Sequence, residues 1–74
     1  MEELQTVVLE RDLPEHELRA GDVGVVVHVH GDGAYEVEFV SGEGRTVAVV
    51  TLEQADVRPI REREILHVRR LAQL

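Results

Sequence analysis

The sequence predicts a mainly β protein: a small five-stranded barrel with a C-terminal helical extension. Three observations lead there. Valine dominates the apolar residues, apolar and polar residues alternate from Val23 to Val40, and glycine-bearing turns separate the apolar runs at even spacing. β-Branched side chains pack well on a pleated surface. Alternation marks a strand with one buried face, and short strands at regular spacing are the pattern of a small barrel.

Gln5 to Leu9 (QTVVL) is β-rich and reads as the first strand. Residues 10–18 (ERDLPEHEL) are charged and broken by Pro14, which makes them a loop. Arg19 to Asp22 turns into a second strand, Val23 to His30. Side-chain parity then sets the hairpin register. A three-residue turn Gly31-Asp32-Gly33 pairs His30 with Ala34, and therefore Val29 with Tyr35, Val27 with Val37 and Val25 with Phe39, which sets these last three pairs of large apolar residues on one face. A two-residue turn would set Val29 against Glu36, a slip that is disfavoured where one face is buried. Gly33 is free to take the left-handed position such a turn requires.

Ser41 to Arg45 (SGEGR) forms the next turn, and a five-residue loop there pairs Phe39 with Val47 and Val37 with Val49 on a fourth strand, Thr46 to Thr51. LEQAD is expected to make a short helical turn, and Val57 to Ile60 a last short strand. The expected inner face is therefore Val25, Val27, Val29, Tyr35, Val37, Phe39, Val47 and Val49. In the tail, Ile65, Val68, Leu71 and Ala72 fall on one stripe at helical spacing, with Arg63, His67 and Arg70 opposite. The tail is read as a helix, although it lacks a clear N-cap and is marginal in length for one. A short strand through ILHV is the competing reading.

The chain of 74 residues is expected to form one barrel domain, residues 1–60, followed by an amphipathic tail, 61–74. A chain this short buries only about 60% of the surface its unfolded form exposes. It has no cysteine, so neither a disulfide nor a thiolate metal site can staple it. No basic, apolar leader opens the sequence and no apolar run approaches the ~20 residues of a membrane span, so a cytoplasmic protein with no membrane partner is expected.

The net charge is -7, and all eight basic residues are arginine. Five of those arginines (Arg58, Arg61, Arg63, Arg69 and Arg70) fall after residue 57, against only two of the fifteen acids. An acidic body with a basic tail disfavours nucleic acid, because affinity for a phosphate backbone rests on Lys and Arg. Single-strand binders also need exposed aromatics for stacking, and Tyr35 and Phe39, the only two aromatics of the Phe/Tyr/Trp class, point inward in this register. The acidic body suits a protein partner of opposite charge.

With these residues in place the chain resembles the small bacterial proteins of domain of unknown function 4926. The resemblance runs over about residues 4–60 and rests on Asp12-Leu13-Pro14, Gly21 to Gly24 (GDVG), Gly33 to Phe39 (GAYEVEF) and Thr51-Leu52. It implies an SH3-like barrel, in agreement with the strand pattern, and brings no catalytic residue. It also implies an antitoxin or accessory role for the product of a neighbouring gene. The tail lies outside it.

On the outer face of the hairpin, His28 lies opposite Glu36 and Val26 opposite Glu38, with Val50 and Ala48 as their neighbours on the fourth strand. His28 and His30 project to one side, and with Glu36 they are the candidate metal ligands, a trio that suits Zn²⁺. A His-x-His match alone carries a high false-positive risk. The reading taken is a solvated face, with neither metal nor cofactor. Glu36 and Glu38 lack the contrasting environments that acid–base catalysis needs, and no nucleophile elbow or phosphate loop is present. The expectation is a protein that is not an enzyme.

The expected function is a protein-interaction module. Its contacts would be the acidic loop Glu10 to Glu17, Glu36 and Glu38, the apolar strip Val26, Ala48 and Val50 beside them, and the tail residues Ile65, Val68 and Leu71, which would cover that strip within one chain or across a homo-oligomer. An apolar strip facing outward must be covered or remain small. A nucleic-acid-associated barrel using the arginine-rich tail is the alternative.

Overall fold

The structure, a computed structural model, describes residues 1–71. It contains five strands: β1 (Thr6–Leu9), β2 (Val23–Val29), β3 (Ala34–Val40), β4 (Thr46–Glu53) and β5 (Val57–Pro59). All neighbours are antiparallel, in one sheet of order β4-β3-β2-β1-β5. Two 3-10 turns, Pro14–His16 and Gln54–Asp56, interrupt the connections, and there is no α-helix among the described residues.

The sheet is rolled but does not close into the expected barrel. β4 and β5 are its two edges, and only Gln54–Asp56 joins them. Three residues of 3-10 rise span about 6 Å, so the edges must meet at that end, yet no β4–β5 pair forms among the described residues. Leu13 and Leu18 cover the concave face from the loop before β2. Both are 3% exposed, and each donates its amide to the other's carbonyl, at 2.9 and 3.1 Å, across the Pro14 turn. The charged loop ERDLPEHEL is thus also a lid of two leucines on the core. With Val7, Leu9, Val26, Tyr35, Val37, Phe39, Leu52 and Val57 they form the hydrophobic core of the described residues.

The Gly31-Asp32-Gly33 turn is as the parity argument required. His30 donates to Ala34 O at 2.9 Å, Gly33 has φ +91°, and Val29 pairs with Tyr35 and His28 with Glu36. Below that point the register shifts. Val26 pairs with Val37 and Val25 with Glu38, leaving Val27 as a bulge. The cause lies in β1, which pairs Val7 with Gly24 and so fixes the parity of the lower half of β2 from the other side. That parity sends Gly24 and Val26 inward, the turn sends Val29 toward the inner side, and one extra residue reconciles the two.

Gly24 is the residue this arrangement requires. A Cβ there would stand 2.7 Å from Val37 Cγ1, 2.9 Å from Phe39 Cε1 and 3.0 Å from the Glu38 carbonyl oxygen.

A second bulge, at Val47, shifts β4 in the same way: Val40 pairs with Thr46, but Phe39 pairs with Ala48 and Val37 with Val50. The expected inner face is therefore corrected. Tyr35, Val37 and Phe39 stay inward, Val26 replaces Val25 and Val27, and Ala48, Val50 and Leu52 replace Val49. Val47, at the bulge, still packs against the core from a partly buried position.

The expected helical tail is also corrected. Residues 61–71 form a turn and then an arm without regular secondary structure. Ala72, the last member of the expected stripe, lies outside the described residues.

Candidate functional site

The bulges decide what the outer face carries. Val26 is fully buried, and Ala48 and Val50 pack against the core from its inner side, so the three form no outward strip. The outer row of β3 and β4 instead reads Glu36 beside Thr51 and Glu38 beside Val49.

His28, His30 and Glu36 do come together, as a hydrogen-bonded group. His30 donates from Nε2 to Glu36 Oε2 at 2.6 Å, and Thr51 Oγ1 donates to the same oxygen at 2.7 Å. These two bonds, that from His30 first, hold the Glu36 carboxyl below the usual range. His28 turns away from Glu36. Its ring stands edge-on to His30, centroids 4.7 Å apart, and its Nδ1 lies 3.7 Å from Glu3 Oε1. Among the described residues no group of three or more His, Asp or Glu is placed to hold one metal ion. Glu38 accepts from Thr46 Oγ1 at 2.7 Å.

The tail makes the most specific polar contacts in the molecule. After β5, the Glu64 amide donates to Arg61 O and the Arg61 amide donates to Glu64 Oε1, at 3.1 and 2.7 Å, which reverses the chain. Arg58 grips the same carboxylate with Nη1 and Nη2, at 2.7 and 2.6 Å, while its Nε donates to Glu10 at 3.1 Å. The Arg58 bonds, then the Arg61 amide, lower the Glu64 carboxyl to about 2.

Five residues further on, Arg69 donates from Nε to Asp22 Oδ1 at 2.7 Å, and from Nη2 to Asp22 Oδ2 at 2.6 Å and to Glu17 O at 2.7 Å. Burial pushes the Asp22 carboxyl up, but the Arg69 bonds, the Arg19 amide and the arginine charge outweigh it, and the net shift is downward. Paired, planar guanidinium–carboxylate bonds are stronger and more directional than single neutral ones.

Between and beside these clamps the apolar side chains divide. Ile65 is 90% exposed and Val68 88%, whereas Leu71 turns in and is half-buried. Leu66 and Leu71 roof a cavity of about 620 Å³ whose floor is Leu18, Val23, Phe39 and Val47, at the end of the sheet. The arm is therefore held to the body by its two arginine clamps and by Leu71, which turns in at that cavity. Folding a dozen residues into a lone helix is marginal in water, and the non-helical path lets Arg58 grip the tail carboxylate of Glu64 and Arg69 the body carboxylate of Asp22, each with two bonds.

Sequence reasoning missed Arg58, Glu64, Arg69 and Asp22 as partners. The signal present was the charge asymmetry itself, a basic tail on an acidic body, which favours a tail folded back on that body.

These features define a small mainly β domain of one open antiparallel sheet with an ion-paired C-terminal arm. The chain belongs to the family described as Domain of unknown function (DUF4926), whose model matches residues 3–59. That span ends with β5, so the arm lies beyond it. No curated protein and no solved structure matches the chain. Among the described residues no helix is long and apolar enough to cross a membrane.

Proposed function

We propose that this protein is a non-enzymatic interaction module, an accessory or antitoxin-type subunit, and that its C-terminal arm is the contact. The observation that carries this reading is the pairing of order with exposure. Arg58–Glu64 and Arg69–Asp22 fix the arm's path, while Ile65 and Val68 face solvent at 90% and 88% exposure. A segment pre-ordered by ion pairs loses less entropy on binding than a free tail. Exposed apolar residues on it add affinity when they are desolvated by a partner.

The chemistry of the arm describes the surface it fits. Arg63 and Arg70 flank Ile65 and Val68 and have no salt bridge among the described residues. The complement is an apolar patch rimmed by carboxylates. Of the five tail arginines, Arg58 and Arg69 are already neutralised by internal carboxylates, which reduces the charge available to a phosphate backbone.

The test is affinity purification from the native organism with the intact chain and with an Ile65→Asp/Val68→Asp variant, alongside oligonucleotide binding at low and high salt. A protein retained in stoichiometric amount by the first and lost by the second supports the reading. Oligonucleotide binding that falls steeply with salt and survives the two substitutions overturns it.

A further inference from the structure

The two edges of the sheet are unequal. β5 is three residues long and ends in Pro59, both of which blunt an edge against pairing. β4 is eight residues long, and between Thr46 and Leu52 it carries no charge, no proline and no glycine. From Thr46 to Leu52 none of its backbone groups has a backbone partner on the side away from β3 among the described residues. Its apolar side chains are also incompletely covered. Ala48 and Val50 reach the core only from partly buried positions, and Val49 is 50% exposed on the other face.

We infer that β4 pairs with β4 of a second copy, extending the sheet across a two-fold axis. Antiparallel neighbours related by such an axis must set like faces side by side, so the axis passes through a residue. Centred on Val49, the pairing puts Ala48 of each strand against Val50 of the other on the inner side and Val49 against Val49 on the outer.

Beyond Ala48 the bulge at Val47 shifts the register by one residue, so Arg45 of one copy comes within about one residue of the level of Glu53 of the other, at both ends. Arg45 has only a loose 3.7 Å contact with Glu43 in its own chain and an 81% exposed side chain. The strand's ends are thus charge-complementary to themselves when reversed, although the whole chain carries -7. The two Glu38 carboxylates beside Val49 would stand three strand spacings apart. That is about 14 Å, beyond the ~8 Å screening length at physiological salt. The edge backbone groups around Val49 gain partners on both strands, and Val49 and Val50 are covered.

The pairing is centred on Val49, which does not line the cavity that Val47 shares with the arm, so the two proposals can fail separately. The experiment is sedimentation equilibrium of the intact chain over a wide concentration range, with Val49→Lys, Arg45→Glu and Ile65→Asp/Val68→Asp variants, each checked for native circular dichroism. The expected result is a concentration-dependent dimer for the intact chain and the Ile65/Val68 variant, a weaker dimer for Arg45→Glu, and a monomer of unchanged fold for Val49→Lys, where like charges would meet at the axis. A monomer at every concentration of the intact chain overturns the inference. So does a dimer that survives Val49→Lys or is lost in the Ile65/Val68 variant.

Discussion

Arg69 and Asp22, 47 residues apart, form a two-bond guanidinium–carboxylate pair at 2.7 and 2.6 Å that ties the C-terminal arm to the start of β2. The same guanidinium reaches Glu17 O, so one side chain joins the arm to both the leucine-bearing loop and the sheet. Removing it should free the arm without unfolding the sheet. In a double-mutant cycle of Arg69→Ala and Asp22→Asn we expect a coupling of about 1 kcal/mol, the upper part of the range for partly exposed pairs. Protease cleavage within residues 61–71 should accelerate in either single variant. Zero coupling and unchanged cleavage would show that the pair does not hold the arm.

The clamps should open in acid. Glu64 is lowered from 4.5 to about 2 and Asp22 lies below its ordinary 3.8. A carboxyl whose native value is depressed contributes stability that is complete above its unfolded value and is lost as pH falls through its native one. The arm should therefore stay ordered at pH 5 and be released progressively between about 4.5 and about 2. Backbone NMR relaxation of residues 61–71 across that range measures it, and Glu64→Gln should loosen the turn already at neutral pH. An arm equally ordered at both limits would contradict the assignment.

Gly24→Ala should destabilise the fold by about 1–3 kcal/mol, the usual range for overpacking. The new methyl would meet Val37 and Phe39 at 2.7 and 2.9 Å and the Glu38 backbone at 3.0 Å, which leaves no single soft neighbour to yield. Urea unfolding checks this directly, and a midpoint equal to the parent's would place Gly24 off the core.

The bulge at Val27 gives opposite outcomes for adjacent valines. Val26→Ala, at a fully buried position, should cost about 2 kcal/mol, whereas Val27→Ala, at 38% exposure, should change stability by less than about 0.5 kcal/mol. Equal losses, or the reverse order, would restore the uninterrupted register.

How much of this was legible before the structure follows from where each constraint originates. The turn at Gly33 and the pairs Val29–Tyr35 and His28–Glu36 are local to one hairpin, so parity alone found them. The bulges were not, because the parity of Gly24 is set by Val7, a strand distant in sequence, and a hairpin read by itself has no access to that constraint. The outward strip Val26, Ala48 and Val50 failed for the same reason: one slipped residue turns a whole half-strand over. The candidate site divides similarly. His30 and Glu36 are neighbours across a hairpin, whereas Arg69 and Asp22 depend on the path of a tail whose helical stripe points to another conformation. Periodicity registered the apolar side chains and missed the charged ones that hold the arm.

The account turns on an arm fixed by charge and read by its apolar side chains. Its most direct test is the affinity of the co-purified partner for three chains: the intact protein, Arg69→Ala, and Ile65→Asp/Val68→Asp. Tight binding by the first, weakened binding by the second and none by the third is the predicted result. Equal affinity for all three would contradict it.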